Sequence, residues 1–150
     1  MSNKVELEIL DLINDYYDKY YRQNRLYDNW CDKFGITDHE LFILERIYYN
    51  DGKCTQKDLV EYLDFTKQTV SSILTRLEKQ KYILRKRSLI DCREKLIFLT
   101  DKGRKYAGNI VGEMRDLEVK AFKNMSENER ITVKKGLKIL IENLENSFKN

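Results

Sequence analysis

The stretch Arg87–Gly103, RSLIDCREKLIFLTDKG, decides the fold. From Glu94 to Thr100 its side chains alternate. Leu96, Phe98 and Thr100 fall on one side, and Lys95, Ile97 and Leu99 on the other, a β-type period in a chain whose other patterns are helical. With Tyr82 to Arg87 before it, this makes two strands joined by the tip Ser88-Leu89-Ile90-Asp91-Cys92-Arg93. Leu89 and Ile90 stand there among Arg85, Lys86, Arg87, Arg93 and Lys95. Apolar residues at an exposed tip are unfavourable unless they pack locally or meet a partner, and these flanks point to a polyanion.

Immediately upstream lies TQKDLVEYLDFTKQTVSSILTRLEKQKYI, Thr55 to Ile83. Thr55 is placed to cap a short helix carrying Leu59, Val60 and Leu63. Asp64 and Phe65 make a tight turn, and Thr66 caps a second helix. At about 100° per residue, Val70, Ile73, Leu74 and Leu77 share one face of it. Gln68, Ser72, Thr75 and Lys79 point the opposite way, with Thr69, Ser71 and Arg76 on the flanks. Two short helices joined by a tight turn, the second with a polar outer face, form a helix-turn-helix pattern, and a basic hairpin directly after it makes a winged helix.

Longer helices flank this centre. Lys4 to about Lys33 has apolar residues at helical spacing, including Ile9, Ile13, Tyr16, Tyr20, Tyr27 and Trp30, with Gly35 where a C-terminal cap belongs. Thr37 and Glu40 predict a capping box opening a helix with Leu41, Leu44, Ile47 and Tyr48 inward. Asn50-Asp51-Gly52 ends it. Thr100 caps a helix to about Lys123, and Ser126 with Glu129 opens the last one. The expected class is mainly α with a small β-hairpin wing. Residues 37–100 form the winged helix-turn-helix, and 1–36 with 101–150 form a helical dimerisation region.

Charge supports this division. Net charge is +3, but Gly52 to Lys105 holds 14 Lys/Arg against 7 Asp/Glu, and the remainder 14 against 18. A basic middle between acidic ends is the footprint of a local nucleic-acid surface. No run approaches the roughly 18 apolar residues of a membrane span, and Met1 to Glu6 lacks the pattern of a secretory leader, so a cytoplasmic protein is expected. One histidine, His39, and three scattered cysteines, Cys31, Cys54 and Cys92, argue against a metal site or a disulfide framework. No nucleophile stands beside a base and no glycine-rich phosphate loop occurs, so neither enzyme activity nor a cofactor is expected.

At this point the sequence resembles the MarR family of bacterial transcription regulators. DCREKLIFLTDKG is similar to that family's wing signature at Asp91, Arg93, Lys95, Leu99, Thr100, Lys102 and Gly103, and TKQTVSSILTRLEKQKYI resembles its recognition helix. The resemblance spans nearly the whole chain. It implies a homodimer, intertwined through its terminal helices, bound to double-stranded DNA. Arg93 would enter the minor groove, oriented by Asp91, and Lys95, Arg85 and Arg87 would support backbone contacts. Gln68, Ser72 and Thr75 would read the major groove, with Lys67, Thr69, Ser71, Arg76 and Lys79 nearer the phosphates. Family members often carry glycine where this chain has Lys81, which would be strained if the backbone there is left-handed.

The resemblance further implies a repressor on a pseudo-palindromic operator, released by a small-molecule effector in a pocket near Tyr16, Tyr20, Tyr27 and Trp30. Dimer-interface core is the alternative reading of those four. Two other functions stay open: a ligand-binding or protein-interaction module that has kept the fold without operator binding, and a regulator that senses oxidants through a low-pKa thiol. For the latter Cys54, just before a helix N-terminus, is better placed than Cys31.

Overall fold

The computed structural model describes residues 2–89 and 93–149; Ile90, Asp91 and Cys92 of the hairpin tip lie outside the described residues. The elements run α1 (Ser2–Cys31), a 3-10 turn (Asp32–Phe34), α2 (Asp38–Tyr49), β1 (Cys54–Thr55), α3 (Gln56–Leu63), α4 (Lys67–Lys79), β2 (Ile83–Arg87), β3 (Lys95–Leu99), α5 (Asp101–Lys123) and α6 (Glu127–Phe148). This is a mainly helical chain with a small antiparallel sheet, a winged helix-turn-helix between long helices. It divides into two compact units, Met1–Val111 and Gly112–Asn150.

The first unit is built on the apolar stripes read from the sequence. Leu41, Ile43, Leu44 and Ile47 of α2, Leu59 of α3, Val70, Ile73, Leu74 and Leu77 of α4, and Ala107, Ile110 and Val111 of α5 are buried together with Ile83, Ile97 and Leu99. Full burial of such an aliphatic side chain is worth about 1.5–3 kcal/mol. Helix starts follow their caps: Thr37 Oγ1 accepts from Glu40 N at 3.2 Å, Thr55 Oγ1 from Asp58 N at 3.2 Å, and Thr66 Oγ1 from Thr69 N at 3.1 Å. Gly35 ends the 3-10 turn in the left-handed region at φ 64°.

Two expectations are corrected. The hairpin is not alone: β1 pairs with β3, Cys54 opposite Ile97, so the sheet has the order β1-β3-β2. A two-residue strand is too short to carry a period. The capping box at Thr37 is one-sided. Glu40 lies on the inward side of α2, 2% exposed, and instead of reaching back to the Thr37 amide it pairs with Arg76.

The wing joins the helices at a tight node. Lys81 is left-handed at φ 61°. The next residue, Tyr82, accepts from Thr100 N at 3.0 Å, and Thr100 Oγ1 donates to Lys81 O at 2.7 Å while accepting from Gly103 N at 2.9 Å. Lys102 Nζ donates to Gln80 O at 2.9 Å, closing the end of α4. The rings of Tyr82 and Tyr106 stack at 4.0 Å. Much of the LTDKG signature is therefore the joint that fixes the hairpin on α4 and α5. Asp51 braces the other side, accepting from Leu99 N at 2.7 Å and pairing with Arg104.

In the second unit α6 opens with the expected capping box, Ser126 N donating to Glu129 Oε2 at 2.7 Å and Glu129 N to Ser126 Oγ at 3.3 Å. These bonds hold the Glu129 carboxyl below its ordinary range. Leu117, Phe122, Ile131, Leu137, Ile141 and Leu144 are exposed. On α1, Val5, Leu7, Ile9, Leu10, Ile13, Tyr16, Tyr17, Tyr20 and Tyr21 are exposed as well.

Candidate nucleic-acid interface

Helix α4 sorts its residues by face as its sequence dictates. Val70, Ile73, Leu74 and Leu77 are buried, while Lys67, Gln68, Ser72, Thr75, Arg76 and Lys79 are exposed and Thr69 and Ser71 half-buried. Part of that outer face is locally engaged. The Thr69 hydroxyl lies 2.8 Å from the Thr66 hydroxyl, and Ser72 Oγ donates to Thr69 O at 3.0 Å. Gln68, Thr75 and Lys79 complete a short hydrogen-bonding face suited to base edges and phosphates.

Arg76 does double duty. Its Nη2 meets the buried Glu40 carboxylate, tying α4 to α2, yet its side chain is 46% exposed. Burial pushes the Glu40 carboxyl above its ordinary value, against the opposing pull of Arg76. Burial, and then Glu40 itself, push the nearby Tyr106 hydroxyl up to about 12.

In the wing, Ile83 faces Leu99, Arg85 faces Ile97, and Arg87 faces Lys95. One face of the hairpin thus passes from apolar at its base to basic towards its tip. Arg85 is held to α4: its Nε and Nη2 lie 3.2 and 2.5 Å from Glu78 Oε2, and this bond keeps the Glu78 carboxyl below its ordinary range. Arg87, Arg93 and Lys95 are exposed. Arg93, Lys95 and Arg85 share a cleft of about 300 Å³ with Thr55, Gln56, Lys57 and Glu94. Gln56 and Lys57 were not singled out from sequence, because only the fold brings the start of α3 beside the wing. Asp91, expected to orient Arg93, lies outside the described residues. Leu89 is fully exposed at 101%, so it does not pack on the strand beneath.

The four aromatic residues assigned to an effector pocket are spread along α1. Tyr16 and Tyr20 stack on each other at 6.3 Å on the exposed part of the helix. Tyr27 packs on Phe42 at 5.9 Å. Trp30 is buried against Phe34 at 4.7 Å. From Tyr16 to Trp30 the helix rises about 21 Å.

Cys31 and Cys54 are buried free thiols. Burial, aided by neighbouring aspartates, pushes each up to about 11. Burial therefore keeps Cys54 a thiol, although it stands just before a helix N-terminus. Cys92 lies outside the described residues. Among the described residues no cluster of His, Cys, Asp or Glu is placed to hold a metal ion, and no helix is long and apolar enough to cross a membrane.

The arrangement defines a winged helix-turn-helix regulator. Residues 34–89 match the MarR family model. The chain is similar to the HTH-type transcriptional regulator SarZ of Staphylococcus aureus, 30% identical over 126 residues, 82% of each chain. It is also similar to two solved structures of S. aureus MepR. One is a complex with DNA (27% identity, TM-score 0.71, 86% of this chain and 94% of that one). The other is in a DNA-binding conformation (27%, TM-score 0.73, 89% and 98%). The chain belongs to the MarR family. It is a transcriptional regulator and not an enzyme.

Proposed function

We propose that the protein is a homodimeric, sequence-specific DNA-binding repressor acting in the cytoplasm. Each subunit lays α4 in a major groove, where Gln68, Ser72 and Thr75 meet base edges and Lys67, Thr69, Ser71, Arg76 and Lys79 meet the flanking backbone. The wing lies over the adjacent minor groove with Arg93 inserted, Asp91 orienting it, and Arg87 and Lys95 on phosphates. Arg85 acts chiefly through Glu78, fixing the wing on α4. The observation that carries this reading is the outer face of α4, polar and exposed opposite a fully apolar stripe.

Dimerisation is supported by the apolar side chains left exposed on α1 and, separately, on α5 and α6. Many large apolar side chains exposed along one helix mark a protein–protein interface. Two subunits present two α4 helices about 34 Å apart, one DNA turn, to a pseudo-palindrome. A small-molecule effector lodged at that interface beside the stacked, exposed pair Tyr16 and Tyr20 alters the spacing and releases the DNA, while Tyr27 and Trp30 are packed on Phe42 and Phe34.

Selection of duplexes from a random library, followed by footprinting and sedimentation, tests the proposal. It predicts a dimer protecting two related half-sites one turn apart. A monomer, or equal protection of all sequences, overturns it.

A further inference from the structure

His39 is the chain's one histidine and has no part in the interface described so far. It is the second residue of α2 and, with Thr37, lines a concavity of about 600 Å³ whose opposite wall is Gln68, Thr69, Ser72, Ile73 and Arg76 of α4. The concavity is thus continuous with the face of α4 assigned to DNA. The imidazole is held on two sides. Its Nδ1 lies 2.7 Å from Asp38 Oδ1, and its ring packs on Phe65, from the turn before α4, at 4.3 Å. The side chain is nevertheless 46% exposed.

We propose that His39, as imidazolium, is a further DNA-backbone contact, its Nε2 donating to a phosphodiester oxygen lodged in the concavity beside Arg76. The inference rests on the DNA-binding reading above. A phosphodiester carries acceptors only, so every group that meets it must donate. Arg76 qualifies, because a guanidinium has five N–H donors and Glu40 meets Nη2. His39 qualifies only when charged. With Nδ1–H given to Asp38, the neutral ring presents a lone pair at Nε2, whereas the imidazolium presents a second N–H.

The charged groups around the ring are Asp38 in contact with it, the Glu40–Arg76 pair between α2 and α4, and Asp64 and Lys67 flanking Phe65. Arg76 and Lys67 carry N–H donors of their own, and Nε2 of His39 adds to them only in the imidazolium form. Contact through His39 is therefore made by the imidazolium, and pH is the variable that tests it, histidine being the side chain whose charge responds to pH near neutrality.

The test is fluorescence anisotropy with a duplex selected by the wild-type protein, at about pH 6 and about pH 8, each over a salt series. Wild-type affinity is expected to rise about five- to tenfold at the lower pH. Its logarithmic salt slope should steepen by about 0.9 for each further phosphate neutralised. His39→Gln should match wild type within about twofold at the higher pH and lose both changes. His39→Arg should bind tightly at both, because its charge does not titrate. If His39→Gln keeps the wild-type pH dependence and salt slopes, the inference falls and the DNA-binding reading stands. If wild type shows no salt-sensitive duplex binding at either pH, both fall.

Discussion

A β-carbon on Gly103 would stand 1.7 Å from the carbonyl oxygen of Tyr82. The first turn of α5 is pressed against the backbone that leads into the wing, and only a residue without a side chain permits this approach. That carbonyl also accepts from Thr100 N, so it cannot move aside without breaking the joint between α4, β3 and α5. Gly103→Ala is accordingly predicted to lower stability by at least the roughly 1–3 kcal/mol of an overpacked core site, read from denaturant unfolding. An unchanged midpoint would contradict the close approach.

One residue earlier than Tyr82, Lys81 holds φ 61°, a region costly for a side chain but open to glycine. Lys81→Gly should stabilise the fold by roughly 0.5 kcal/mol, because the roughly 1–2 kcal/mol of strain relieved exceeds the roughly 0.5–1 kcal/mol of entropy that glycine adds to the unfolded chain. Thermal unfolding at matched pH reads this directly, with an increase in midpoint expected.

The Glu40–Arg76 pair gives stability a pH dependence. The Glu40 carboxyl titrates above its ordinary value, so the folded state binds its proton more readily than the unfolded state does. The stability from this group is fully present below about pH 4.5 and is lost as pH rises through the folded value. Arg76→Leu removes the cation that offsets burial and leaves the carboxyl unpaired. The cost at neutral pH should approach but not exceed about 3 kcal/mol, since Arg76 is half exposed and a fully buried pair sets the upper range. That cost should shrink towards pH 5 and vanish in the double variant with Glu40→Gln. Denaturation at the two pH values distinguishes this from simple loss of packing.

The buried thiols bear on the oxidant-sensing alternative. With Cys31 and Cys54 pushed up to about 11, thiolate is scarce at neutral pH. In a Cys92→Ser variant, native protein should react with a disulfide reagent only as fast as it unfolds, and both thiols should react at once in denaturant. Rapid labelling of the native variant would restore the sensing reading.

Most of the centre of the fold is legible in the chain because its signals are local. Thr55, Thr66 and Thr100 cap the helices they precede, and the alternation at Lys95–Leu99 is a strand. What escapes is decided across distance. Glu40 forgoes its local cap because α4 brings Arg76 to it. Two residues, Cys54 and Thr55, become a strand only because β3 lies alongside. His39, Gln56 and Lys57 acquire neighbours on the candidate interface through the packing of α2 and α3, which no spacing in the sequence encodes. The aromatic row of α1 reads from sequence as interface core rather than pocket, and the fold separates its members along the helix.

The central claim is that the wing and the outer face of α4 bind DNA. Its most direct test is anisotropy with a duplex selected by the wild-type protein, comparing wild type with Arg93→Ala over a salt series. The account predicts tight binding that weakens steeply with salt and is about 1–3 kcal/mol weaker in the variant, with relaxed preference at the wing position. Equal affinity and equal salt dependence of the two proteins would contradict it.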